Sequence, residues 1–285
     1  MKKKIIIFII FFQASLLAQN RDSIEDAMED GHATHIYHVN GWVSAPIIVI
    51  GGLGSVIVYY AKISNKPDIT AAEIAGLNYH TFGFDSWALN QTYPANRNAL
   101  VTDALITQIV LAAAPLALFT DERIGHDWGK IVTMLLEANA ISLSLYAMTP
   151  LGPLFQDKYR PIVYYDNPLN GSRTTGWNRN SFYSGHTAAA AASTFFMAKV
   201  YSDYYPDANK FLLYAGASLP PLFLGYLRLK ALEHFPSDIL VGFGAGALCG
   251  VLIPEFHKIQ NKDLSLGFYT SPTTGTGIAM QMALK

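Results

Sequence analysis

About six apolar stretches, each close to the length that crosses a bilayer, constrain this chain more than any other feature. They are Val43–Ala61, Ala99–Thr120, Trp128–Thr149, His186–Tyr201, Phe211–Leu227 and Ile239–Pro254. A hydrocarbon core is spanned by roughly 20 predominantly apolar residues in a helix, and a helix satisfies its own backbone polar groups there. Several of the stretches are short or contain Gly, Pro or a carboxylate, which suits helices that face one another more than lipid. The expected fold is an all-α, multi-pass membrane bundle of about six helices. Composition agrees, with 51% hydrophobic and 14% charged residues against roughly 25% charged in soluble domains.

The flanking segments divide the chain. Met1-Lys2-Lys3-Lys4, the apolar run Ile5 to Phe12 and the small residues Ala14, Ser15 and Ala18 make residues 1–18 a signal peptide or an uncleaved signal anchor. Residues 19–42 form an N-terminal extramembrane segment, 43–257 the helical domain and 258–285 a tail. Leu264, Leu266 and Phe268, then Ile278, Met280, Met282 and Leu284, alternate around turn residues, a period-two pattern that suggests a short β-hairpin. The 62–98 connection is long, and Asp68 to Ala75 reads as the start of a surface helix. Residues 150–183 hold Pro150, Pro153, Pro161, Pro168, Gly152, Gly171 and Gly176, which exclude a continuous helix. Trp42, Tyr59, Tyr60 and Trp128 stand near span ends as interfacial anchors.

The remaining inventory excludes several functions. Net charge is -1 with no basic tract, so nucleic-acid binding lacks its electrostatic footprint. The lone Cys249 forms no disulfide framework and reads as a packed small residue. No Cys or carboxylate cluster has metal-ligand spacing. His32, His35 and His38 recur every three residues, a pattern open to metal binding but better read as solvated surface. Glu137 lies inside the third stretch, where an ionisable residue faces the bundle interior as a functional or a structural contact.

Three clusters carry the chemistry: Arg160-Pro161 with Lys158 two residues earlier, Ser184-Gly185-His186 before an alanine-rich helix, and Arg228, His234 and Asp238 before the last helix. Ser184 is a natural helix cap, yet a helix N-terminus with Ser and Gly is also an anion site, and Gly185 admits close approach of a phosphate. His234 and Asp238 are four apart, so a carboxylate can fix one imidazole nitrogen and leave the other free to attack. Two guanidinium forks suit the oxygens of a transferring phosphoryl group. The fourth stretch leaves His186, the fifth returns to Arg228 and the sixth starts at Asp238, so all three clusters share one end of the bundle.

This set resembles the type 2 phosphatidic acid phosphatase family, which shares its site with vanadium haloperoxidases, over roughly residues 43–257. The family pattern is Lys-x6-Arg-Pro, then Pro-Ser-Gly-His, then Ser-Arg-x5-His-x3-Asp. Three positions depart from it: Pro153 stands where the leading Lys would fall, Tyr183 replaces the Pro and Leu227 the Ser. The resemblance implies a membrane enzyme that hydrolyses a lipid phosphate without cofactor or metal. In it His234 is the nucleophile, Asp238 its orienting carboxylate and His186 the general acid and base. Arg160, Arg228, Ser184, Gly185 and Lys158 are phosphate-binding. Phosphatidate, phosphatidylglycerol phosphate, a polyprenyl diphosphate and a lipid A phosphate are all open as substrates. Alternatives are a soluble-type acid phosphatase or vanadate-dependent haloperoxidase in the same pocket, and a non-catalytic lipid-binding or transport protein whose site is degraded at Pro153. Asp85 and Trp87 resemble a stretch of bacterial members and either line the site mouth or pack beside it. The location implied is a bacterial inner membrane with the site facing the periplasm, although three full spans from an exported N-terminus would place it in the cytoplasm. The sequence carries no sign of an oligomeric state.

Overall fold

A computed structural model describes residues 36–79, 83–166 and 173–259, together with the backbone of 264–271 and 275–282. The signal segment 1–18, His32 and His35 lie outside the described residues. Six long helices form the body: α1 (Gly41–Ile63), α2 (Arg97–Thr120), α3 (Trp128–Met148), α4 (Gly185–Tyr204), α5 (Lys210–Lys230) and α6 (Pro236–His257). Their starts carry the expected chemistry. The Asn40, Ser184 and Asn209 side chains accept from backbone amides of the first turns of α1, α4 and α5, and Pro236 opens α6 where its missing donor costs nothing. After Pro46, α1 widens into π turns over Ile47–Leu53 and Tyr59–Ile63.

Helices α1, α2, α3 and α6 are long and apolar enough to cross a membrane. Helices α4 and α5 match them in length but are less apolar, and packing explains α4. It touches α2, α3, α5 and α6, so its alanines and its buried Ser193, Thr194 and Lys199 face protein on every side. The outer helices expose what α4 does not, including Ile50, Leu53 and Ile57 on α1, Ile109 and Val110 on α2, and Phe211, Leu219 and Phe223 on α5. Exposed apolar surface on this scale belongs in lipid.

The tightest contact runs between α4 and α6, whose chains lie parallel. A Cβ on Gly242 would stand 2.4 Å from the Ser184 carbonyl oxygen, and one on Gly246 only 2.0 Å from that of Ala188. Gly250 continues the stripe against Ala192. Only a residue without Cβ lets two backbones meet this closely, the small-residue packing by which membrane helices gain dispersion contact without a hydrophobic driving force. On the other side, α1 and α3 meet at Ser55, Ser144 and Gly51, where the Ser144 hydroxyl lies 3.2 Å from that of Ser55 and donates to the Gly51 carbonyl at 3.0 Å.

At the end away from Arg228, residues 36–40 are tied to the end of α6: His38 N donates to the His257 carbonyl (2.8 Å) and Ile259 N to that of Ile36 (2.9 Å). Glu137 is a structural contact here, pairing with His257 Nε2 at 2.9 Å. Cys249 is buried in the main core. Beyond α6, β1 (Leu264–Ser271) pairs antiparallel with β2 (Gly275–Met282), the register setting Leu264, Leu266 and Phe268 opposite Met282, Met280 and Ile278. This is the hairpin that the alternation suggests.

Two glycines of α6 test the packing account. Gly246→Ala forces a methyl group into backbone and is expected to cost about 1–3 kcal/mol. Gly244→Ala, with nothing within 4 Å of its Cβ position, should be neutral or stabilising by up to about 1 kcal/mol. Unfolding in detergent measures both, and equal stabilities would contradict the close approach.

Candidate active site

The proline- and glycine-rich connection after α3 is ordered by backbone pairing. Lys158 N donates to the Arg179 carbonyl (3.0 Å), Arg160 N to that of Asn178 (2.8 Å) and Ser181 N to that of Lys158 (2.9 Å). Arg179 braces this ribbon against the 64–79 loop by ion pairing with Glu73 at 2.8 Å, and that bond holds the Glu73 carboxyl well below its ordinary range. The ribbon presents Arg160, fully buried, with its guanidinium 4.7 Å from the centre of the Trp177 ring. The ring face attracts the cation and fixes its plane.

The turn out of α5 is as sharply defined. Leu232 N donates to the Leu229 carbonyl (3.1 Å) and Glu233 N to that of Arg228 (3.0 Å), the paired bonds of a Schellman end. Its left-handed position is filled by Leu232, at φ 58°. Glycine is the usual occupant there, and a bulky residue is strained. Leu232 is held by burial against Ile69, Ile162 and Val163 and by its carbonyl, which accepts from Ile162 N at 3.0 Å. The turn delivers Glu233 and His234 beside the Arg160 ribbon.

These elements meet at a cavity of about 460 Å3. Arg160, His186 and His234 wall one part of it, and Val56, Leu105 and Leu143, from α1, α2 and α3, belong to the rest. Gly185 also lines it, close enough to the Tyr146 ring that a Cβ would lie 3.3 Å away. His234 Nδ1 lies 2.7 Å from the Ser181 carbonyl. A carbonyl only accepts, so Nδ1 carries the proton and Nε2 has its lone pair free. Burial, reinforced by the positive fields of Arg160 and Arg228, pushes the His234 imidazolium well below its ordinary pKa. Burial lowers Arg160 to about 10, which leaves it charged at neutral pH.

Other expected site residues stand one step back. Arg228 is buried behind Arg160 and donates to Glu233 at 3.0 Å. Ser184 acts as a cap, its hydroxyl 2.9 Å from that of Thr187 and accepting from Thr187 N. Asp238 corrects the sequence reading. Its carboxylate accepts from Ser181 Oγ (2.6 Å), Phe235 N (2.9 Å) and Lys158 Nζ (2.6 Å), while His234 is bonded to the Ser181 carbonyl. Asp238 therefore reaches His234 through Ser181, because closing the first turn of α6 on Phe235 N turns the carboxylate toward the ribbon. Lys158 is occupied by Asp238 and lies 4.6 Å from the centre of the Phe235 ring. Pro153 is buried in the turn after α3. Asp85 caps α6 across the chain, accepting from Ser237 N at 2.8 Å and Ser237 Oγ at 2.6 Å, while Trp87 is exposed.

Two residues escaped the sequence reading. Glu233 pairs with Arg97, Arg160 and Arg228 together. Its signal was an acidic residue inside the spacer between Arg228 and His234. Arg97, at the start of α2, gave none, since only folding brings it to Glu233. Among the described residues no group of three or more His, Cys, Asp and Glu gathers as a metal site.

Residues 129–262 match the model of the PAP2 superfamily. No curated protein and no solved structure matches the chain.

The His234 geometry predicts a spectroscopic signature. Nitrogen-15 histidine spectra of the detergent-solubilised protein, assigned by loss of a signal in His234→Gln, should show a neutral ring protonated on Nδ1. That ring should titrate below the ordinary value of about 6.5. A ring protonated on Nε2, or charged at pH 7, would contradict the arrangement.

Proposed function

The segment 129–262 belongs to the PAP2 superfamily, and from that premise we propose that this membrane protein removes phosphate from a lipid through a phosphohistidine on His234. The superfamily supports phosphatase-type or haloperoxidase-type chemistry. The observation that favours a lipid phosphatase is one cavity that joins two imidazoles and a buried guanidinium to apolar walls from α1, α2 and α3. A phosphate fits the charged part and an acyl or prenyl chain the remainder. The exposed apolar faces of the outer helices speak against a soluble phosphatase or oxidase. The substrate class is a phosphomonoester or diphosphate of a lipid, and the catalytic domain is taken as 43–257.

In this reading His234 Nε2 attacks phosphorus. The N–P bond forms as the P–O bond to the lipid breaks, and His186 gives its proton to the departing oxygen. Water then attacks the phosphohistidine, losing a proton to His186, and inorganic phosphate leaves with Nε2 restored. Arg160 and Arg228 hold the equatorial oxygens, assisted by the Gly185 amide and by Ser184 at the N-terminus of α4. Asp238 and Lys158 act through Ser181, keeping its carbonyl on His234 Nδ1 and so preserving the reactive tautomer.

We place the protein in a bacterial inner membrane with the site toward the periplasm. Since α1 ends beside the site, residues 36–40 then lie in the cytoplasm. A signal cleaved after residue 18 would export them and turn the site inward, so the two expectations exclude each other. Cysteine labelling of spheroplasts with an impermeant maleimide distinguishes them, the native Cys249 being buried. Phe84→Cys, exposed in the loop that caps α6, should label from outside. Glu122→Cys, exposed between α2 and α3, should label only after lysis. The opposite pattern would put the site in the cytoplasm.

Purified protein should release phosphate from a radiolabelled lipid phosphate and carry acid-labile label when quenched. His234→Ala is expected to abolish both. His186→Ala should lower turnover by about 10²–10⁴-fold while still forming labelled enzyme from a substrate with a good leaving group. Label retained in His234→Ala would remove His234 as the nucleophile.

A further inference from the structure

Glu233 is buried to 4% exposure, and its position behind the catalytic arginines is unusual for a site that binds an anion. One oxygen, Oε2, pairs with Arg160 and with Arg228 Nη2 at 3.0 Å, and the other, Oε1, pairs with Arg97 Nη2. Arg97 is itself anchored through Nε to the Ala231 carbonyl at 3.0 Å. Arg160 also donates from Nη2 to the Asn180 carbonyl at 3.4 Å. Nη2 of each catalytic guanidinium is thus hydrogen-bonded on the protein side, whereas Arg160 Nε and Nη1 and Arg228 Nε are buried without a hydrogen-bond partner. A buried donor left unmade is costly, so these three point to a ligand that supplies acceptors.

We propose that Glu233 is a positioning residue that tunes anion affinity, a resident carboxylate that shares Arg160 and Arg228 with the phosphoryl group and leaves their unpartnered donors for it. The inference rests on the phosphatase reading and deepens it. Three guanidiniums and one carboxylate give the cluster a net charge of +2, which matches the dianion of a phosphomonoester or of inorganic phosphate. Without Glu233 the cluster would carry +3 and hold the product more tightly. Without Arg97 it would carry +1, and Glu233, released from its anchor, would compete harder for Arg160 and Arg228. In a buried site at an effective dielectric near 20, one charge a few ångströms from a bound dianion changes affinity by about tenfold or more. Glu233 therefore sets how readily phosphate leaves, and Arg97 sets how strongly Glu233 competes.

The test is inhibition by, and calorimetric binding of, inorganic phosphate and orthovanadate, with kcat and KM, on the full chain in detergent. Glu233→Gln should bind both anions about tenfold or more tightly, with kcat and KM both lower as release slows. Arg97→Gln should bind them about tenfold or more weakly. A merely structural carboxylate would lower the melting temperature of both variants without moving anion affinity in opposite directions. Unchanged or weakened binding in folded Glu233→Gln overturns the proposal. If that variant does not fold, unchanged or tightened binding in Arg97→Gln overturns it. Wild-type protein that binds vanadate but hydrolyses no lipid phosphate, with the opposed shifts intact, sinks the phosphatase reading and leaves the role of Glu233 standing. Wild-type turnover without the opposed shifts does the reverse, and wild-type protein that binds neither anion overturns the proposal.

Discussion

The site depends on how closely the backbones of α4 and α6 approach. Gly242 and Gly246 bring α6 against Ser184 and Ala188, and Ser184 N donates to the Asp238 carbonyl at 3.0 Å. Two parallel helices therefore begin side by side. One start carries His186, and the residues just before the other carry His234. Neither imidazole is positioned by a long flexible connection. Each follows from a helix end locked to its neighbour, the kind of rigid support that a site with sub-ångström tolerance needs.

Charge is handled by the same economy of contact. Buried guanidiniums are costly unless paired and hydrogen-bonded, and here they share one carboxylate. Lys158 and Asp238 form a second pair beside it, joined to Asp85 and Ser237. Far from the cavity, Lys199, Asp203, Glu255 and Lys258 neutralise one another at the opposite end, with Tyr37 donating to Asp203 at 2.7 Å. The apolar stretches between these two polar ends are what lipid meets.

Much of this was legible in the sequence, and the boundary of legibility is physical. Helical length and apolarity are local, so the six elements, the cap at Ser184 and the tail hairpin follow from neighbouring residues. The spacing of Arg228, His234 and Asp238 could be counted because one turn and one helix start contain all three. Partner choice was not local. Asp238 was expected on His234 because four residues separate them, yet the first turn of α6 closes on Phe235 N and aims the carboxylate at Ser181. Lys158 looked like a phosphate ligand from its place beside Arg160, but its ammonium is held by Asp238 and Ser237 at the start of α6, partners that only folding brings to it. Arg97 was invisible, since nothing near it in the chain announces the carboxylate it meets.

The left-handed Leu232 gives the five-residue spacer a mechanical meaning. Its side chain is wedged into a pocket of isoleucine and valine, and its carbonyl is pinned by Ile162, so the chain after Arg228 runs along one fixed track. An added or deleted residue there would swing the imidazole off its bearing rather than lengthen a slack tether. The interval between arginine and histidine acts as a ruler, and its unit is the pitch of a single helix end.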